Sequence, residues 1–243
     1  MEFEDEAFVL AARPYGEAGV IVEALTREHG KWAAHVAGGA SRRMAGVLQP
    51  GARAVFRYRS RISEQLGSAT LEGVGEGAAV LFDDAAALAA MASAAALLAQ
   101  ALPEREPHGG AFLAFEALMS ALEIPEIWPA VMVRFEAGLL ETLGFGLDLS
   151  RCAVSGSTDN LAFVSPRTGR AVGAEAGEAW RERLLRLPPF MISAQQGLGS
   201  GDIGDGLAIT GWFLQKHVFD LVDRPLPPAR ERFVARLAEE GRL

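Results

Sequence analysis

Apolar and polar positions alternate in short runs over the first 80 residues, and from there on apolar residues recur every three or four positions. The runs at 7–10, 19–22, 31–36, 52–59 and 69–74 are bounded by Gly or Pro and rich in β-branched or aromatic residues, which predicts five strands. In the fourth run, Ala52, Ala54, Phe56 and Tyr58 alternate with Arg53, Val55, Arg57 and Arg59, so period 2 places three arginines on the face opposite the apolar set. Residues 13–17 read as a turn, and His29-Gly30 as a tight connection into the third strand. Five short antiparallel strands suit a small closed barrel of the OB type; an SH3-like barrel carries the same pattern.

The period becomes helical at Asp83. Leu88, Met91, Ala95, Leu98 and Leu102 form one seam of a helix over 85–102. That run has the length of a membrane span, but it is mostly alanine between acidic flanks and reads as a helix of a water-exposed protein. A loop over 103–110 leads to a second helix carrying Phe112, Phe115, Leu118, Met119 and Leu122 on one side. Trp128-Pro129 opens a third helix, with Val131, Phe135, Leu139 and Leu143 as its buried face and Gly144 as its left-handed stop. Residues 147–174 are polar and predict a small β-hairpin inserted among helices, and further helices are expected at 175–187, 207–220 and 228–240. The fold class is α+β: an OB-fold barrel over 1–80, then an α-helical domain over 81–243 with the insertion.

Charge changes this picture more than composition does. The 243 residues carry a formal net charge of −8, which by itself disfavours a nucleic-acid binder. Residues 27–61, however, hold eight Lys and Arg against one acid, Glu28, a local charge of +7; residues 81–243 hold 14 basic and 21 acidic side chains. A polyanion responds to the local field, so a basic module joined to an acidic one is one reading. The other is a solvated surface whose arginines pair with carboxylates elsewhere in the fold. On the first reading the candidate nucleic-acid residues are Lys31, Trp32, Arg42, Arg43, Arg53, Arg57, Arg59 and Arg61, with cations tracking phosphates and Trp32 stacking on a base.

Other chemistry finds little support. Gly199-Ser200-Gly201-Asp202-Ile203-Gly204 fits a dinucleotide fingerprint in letters only, because no strand precedes it and two aspartates would repel a pyrophosphate; it reads as a flexible loop. The histidines, His29, His35, His108 and His217, have no metal-ligand spacing, and a nucleophile elbow and a P-loop are both missing. Nothing asks for an enzyme or a cofactor. The single cysteine, Cys152, excludes an intramolecular disulfide, and the acidic start of the chain is unlike a basic signal peptide, which points to a reducing, cytoplasmic setting.

Several segments resemble the RecO family of bacterial recombination mediators. They are Phe8-Val9-Leu10, Tyr15-Gly16-Glu17, Leu25-Thr26-Arg27-Glu28-His29-Gly30-Lys31, Gly38-Gly39 with Ser41-Arg42-Arg43, and Leu48-Gln49-Pro50. Later in the chain come Arg134-Phe135-Glu136, the stretch from Leu143 to Leu149, Cys152-Ala153-Val154-Ser155-Gly156, and the run from Phe213 to Phe219. The resemblance implies an OB-fold domain, a helical domain with a zinc-ribbon-like insertion, and non-enzymatic work in DNA repair at the nucleoid. That work is binding single- and double-stranded DNA, annealing complementary strands and, with RecR, loading RecA onto DNA coated by single-strand-binding protein. An OB-fold RNA- or ribosome-associated binding protein is the alternative, and an enzyme with a pocket in its helical domain is a third reading.

Some family members carry two C-x2-C pairs in the insertion. Here Cys152 takes the first position, Ser155 stands at the second and the region around 169–172 has none, so the insertion is expected to fold without metal. The resemblance also suggests that the helical domain docks the acidic tail of single-strand-binding protein. Arg134, with Lys216 and His217 if their helices are neighbours, supplies the cations; the competing expectation is that Arg134 pairs with Glu136 or Glu141.

Overall fold

The computed structural model describes residues 1–62, 65–75, 81, 84–193 and 195–243. The predicted helical start at Asp83 and the residue-80 boundary lie outside these. Two compact units are present, Met1–Glu123 with Pro227–Phe233, and Ile124–Leu226 with Val234–Leu243.

In the first unit, β1 (Glu2–Tyr15), β2 (Gly19–Thr26), β3 (Gly30–Val36), β4 (Arg53–Arg59) and β5 (Gly67–Gly73) close in the order β1-β2-β3-β5-β4. The β3–β5 pairing is parallel, not antiparallel as the strand pattern suggested. This crossed, OB-like order cannot be read from strand spacing, because it depends on which edges meet. The alternation of β4 is as expected: Phe56 and Tyr58 are fully buried with Val9, Val22, Trp32 and Val36, while Arg57 and Arg59 face outward. At Gly67, an added Cβ would strike the Tyr58 ring, so glycine lets β5 cross over it.

β1 is longer than expected in both directions. Residues 13–15 continue the strand, pairing with Gly19–Ile21, and the turn comes only at residues 16–18. The acidic start, Glu2 to Glu6, pairs with β4. On the outer side of β1, Phe8 meets Phe112 and Phe115 of α2 (Gly109–Ala121), with ring centroids 5.1 Å away in each case. α1 (Ala85–Ala101) begins where the Asp84 side chain accepts the Ala87 N–H at 2.8 Å. Of its predicted seam Leu88 is only partly buried, while Ala86, Ala87, Ala90 and Ala94 are buried as well, because alanines let neighbours approach closely. Among the described residues no helix is long and apolar enough to cross a membrane.

In the second unit, α3 (Trp128–Thr142) stops at Gly144, with φ +84°, as expected. The insertion is a three-stranded sheet rather than a hairpin. β6 (Leu161–Val164) pairs with β7 (Ala171–Gly173) and also with β8 (Leu185–Arg186). The helix expected at 175–187 is therefore broken into α4 (Ala174–Gly177), a 3-10 turn over Glu178–Arg183 and β8, because the free edge of β6 takes the chain. A short α5 (Pro189–Ile192) follows, then α6 (Asp202–Leu214); α7 (Pro228–Glu239) supplies residues to both units. α6 starts five residues early, so Asp202, Ile203 and Gly204 form a helical first turn and only Gly199–Gly201 belong to the loop.

Candidate nucleic-acid interface

Residues of β1, β4 and β5 border a groove of about 690 Å³ at the barrel, lined by the outward Arg57, Arg59 and Thr70, by Phe3 and Met44 that pack against the core, and by Arg43 among others. Arg43 reaches it from a 3-10 turn, Arg42–Met44, whose Met44 packs against the barrel core while Arg42 and Arg43 stay exposed. Neither arginine has a carboxylate partner among the described residues.

Arg57 and Arg59 sit opposite acids. Register places Glu4 across from Arg57 and Glu2 across from Arg59. Arg57 Nε lies 2.6 Å from Glu4 and Nη1 3.1 Å from Glu72 of β5; Arg59 Nε is a looser 3.9 Å from Glu2. The Glu4 and Glu72 hydrogen bonds raise the Arg57 guanidinium above its ordinary pKa. Arg61 is exposed just beyond β4.

Arg53 belongs to a different environment. It pairs with Glu6 at 2.5 Å and Glu116 of α2 at 2.9 Å, and Arg27 bridges the same two acids at 2.8 and 3.0 Å. Burial pushes the Glu6 carboxyl up, but hydrogen bonds and charge from Arg27 and Arg53 outweigh it and hold Glu6 below its ordinary value. Two cations and two anions balance here, so Arg53 is a tie between barrel and helix rather than an open phosphate site.

Two further expectations are corrected. Lys31 is 7% exposed, its ammonium donates to the Ala99 carbonyl, and burial lowers its pKa despite Glu23 and Glu104 nearby. Trp32 is 3% exposed: its Nε1 donates to the His29 carbonyl at 2.7 Å, Tyr58 packs at 4.7 Å and the Arg105 guanidinium covers the ring at 5.0 Å. No base can stack on a ring closed in this way. A partly exposed ring next to the groove residue Phe3 is His29, stacked on it at 4.1 Å and held through Nδ1 by Asp5 at 2.8 Å. The sequence signal for it is the period-2 run of Glu2, Phe3 and Glu4, which is hard to read as a strand because acids are poor strand formers.

In the second unit the Arg134 guanidinium donates to the Phe190 carbonyl and has no carboxylate partner among the described residues, so neither Glu136 nor Glu141 neutralises it. Glu136 is fully buried and accepts from Thr210 Oγ1 on α6. α3 and α6 are neighbours running the same way, since Gly206 lies against Val133 and Thr210 meets Glu136. Lys216 comes ten residues after Gly206, about 15 Å farther along the axis. It donates to the Pro166 carbonyl at 3.0 Å, and His217 stacks between Phe145 and Phe213. Burial, then the Lys216 charge, lowers the His217 pKa. Arg134 is thus not brought together with Lys216 and His217.

Within the insertion, buried Cys152 Sγ accepts N–H groups of Val154 and Ser155 at 3.4 Å and of Gly173 at 3.2 Å. Hydrogen bonding from Ser155, then from Gly173, lowers the thiol to about 6 against the effect of burial. Among the described residues no three His, Cys, Asp or Glu cluster to hold a metal. Chelator is expected to leave the melting temperature unchanged. Because the folded-state pKa is depressed, the thiolate contribution should grow as pH rises through about 6 and be complete above the unfolded thiol value of about 8.5. Urea midpoints of wild type and Cys152→Ala should therefore diverge between those limits; a gap independent of pH would contradict it.

Family models described as "Recombination protein O N terminal" and "Recombination protein O C terminal" match residues 1–73 and 83–222. A protein of Phenylobacterium zucineum named DNA repair protein RecO is 65% identical over 243 residues, all of both chains. Its namesake in Caulobacter vibrioides strain NA1000 is 63% identical, again over the whole of both. That of Rhodospirillum rubrum is 46% identical over 98% of this chain and 96% of its own.

Proposed function

The chain belongs to the RecO family of DNA repair proteins, and from that premise we propose that it holds single-stranded DNA at the groove of its barrel and anneals complementary strands. Two strands resist pairing because their phosphates repel, and a cationic surface that touches both screens that repulsion without reading sequence. No step of this needs a catalytic group. The observation that carries the reading is the Arg42–Arg43 pair, exposed and free of carboxylates among the described residues, beside a groove that also contains Arg57 and Arg59. With RecR, the same protein would help load RecA onto DNA coated by single-strand-binding protein, acting in the cytoplasm at the nucleoid. Arg134, whose charge no carboxylate cancels among the described residues, suits the acidic tail of that coating protein.

The test is strand annealing with and without single-strand-binding protein, paired with salt titrations of binding. Changing Arg42, Arg43, Arg57 and Arg59 to Ala together should slow annealing and lower the log–log salt slope by roughly 0.7 for each phosphate no longer held. Unchanged annealing and slope in a folded variant would sink the reading.

A further inference from the structure

We propose that Glu2, Glu4 and Glu72 are a built-in phosphate mimic, holding Arg57 and Arg59 where a single strand's phosphates would sit until the strand displaces them; this rests on the groove binding single-stranded DNA. Glu2 and Glu4 lie two residues apart on β1, directly across from Arg59 and Arg57, and all four side chains point outward. Alternate residues of a strand are about 6.7 Å apart, which is close to the step between successive phosphates of an extended single strand. The carboxylate row therefore copies both the sign and the spacing of the ligand. Glu72 closes on Arg57 from the other neighbouring strand at 3.1 Å.

The grip is graded. Arg42 and Arg43 are open, Arg59 is held loosely at 3.9 Å, and Arg57 is held on both sides at 2.6 and 3.1 Å. A strand can engage the open arginines first and then exchange carboxylate for phosphate along β4. The exchange is feasible because the pairs are exposed: the Arg57, Glu4 and Glu72 side chains keep 47%, 61% and 70% of their surface. Such pairs are weak, whereas a guanidinium grips phosphate with two parallel hydrogen bonds. The groove lining carries Arg43, Arg57 and Arg59 against Glu2 and Glu4. With so small an excess of positive charge, a lone anion gains little there, while a chain of phosphates gains at several arginines together.

The salt dependence follows. In wild type, a phosphate arriving at Arg57 expels carboxylates that recruit cations of their own, which cancels part of the ion release. With the carboxylates gone, the cancelled part returns, so the slope should steepen by up to roughly 0.7 for each freed arginine. The experiment is fluorescence anisotropy of a labelled oligothymidylate across a salt series, using the whole protein. Glu2→Gln/Glu4→Gln/Glu72→Gln is compared with wild type, with Arg42→Ala/Arg43→Ala, and with Glu178→Gln, an exposed pair member in the second unit. The triple glutamine variant should bind about fivefold tighter at low salt, with a steeper slope, if each released pair is worth what exposed pairs usually are. The double alanine variant should bind more weakly and Glu178→Gln like wild type. If the alanine variant binds as wild type does, the groove reading falls and this proposal with it. If the alanine variant weakens binding but the glutamine variant does not tighten it, only the mimic is overturned. Equal tightening by Glu178→Gln would assign the effect to net charge and overturn it too.

Discussion

Gly30→Ala should destabilise the protein by about 3 kcal/mol or more, because two independent costs meet at one position. Gly30 has φ +78°, a left-handed conformation that costs an L-residue roughly 1–2 kcal/mol. An added Cβ would also lie 1.8 Å from the Glu106 carbonyl oxygen and 2.5 Å from its carbon, and both are backbone atoms that cannot swing aside. The loop after α1 is fastened at this turn: Arg105 N–H donates to the Lys31 carbonyl at 2.8 Å, and Thr26 Oγ1 donates to the Gly30 carbonyl at 2.8 Å. Gly38→Ala is the control. Its φ of +68° carries the same conformational cost, but nothing lies within 4 Å of the new methyl. Urea denaturation should separate the two variants by about the cost of the clash, roughly 1–3 kcal/mol. Equal losses would mean that the loop yields.

Phe8→Ala should cost about 3–5 kcal/mol, the range for removing a buried aromatic ring. Phe8 is 3% exposed yet stands outside the barrel core, edge-on to Phe115 and tilted against Phe112. Its removal opens a cavity between β1 and α2 and takes the apolar floor from under Arg53, whose guanidinium lies 5.8 Å from the ring centre. Phe8→Leu, which retains most of the volume, should cost less than about 1.5 kcal/mol. A loss below about 1 kcal/mol for Phe8→Ala would show that α2 closes the gap by moving.

Period and punctuation by themselves determined much of this fold. The alternation of β4 sorted Phe56 and Tyr58 inward and Arg57 and Arg59 outward because successive strand residues must face opposite ways. Gly30 and Gly144 marked their turns because only glycine takes positive φ cheaply. The basic stretch over 27–61 was equally visible as a count of charges.

What each charge does was decided in three dimensions. Arg43 and Arg53 look alike in the chain, but Arg53 faces Glu116, a residue far along the chain whose approach depends on α2 covering one end of the barrel face. Lys31 and Trp32 lie in the same basic stretch and are nevertheless buried, one on the Ala99 carbonyl and the other under Arg105. The acidic start of β1 carried only a faint period-2 signal, since carboxylates have poor strand propensity; register against Arg57 and Arg59 compensates for it across the sheet. Charge and period are properties of neighbours in sequence and can be read along it. Ion-pair partners and covered faces are set by strand register and helix docking, and these exist only once distant segments have met.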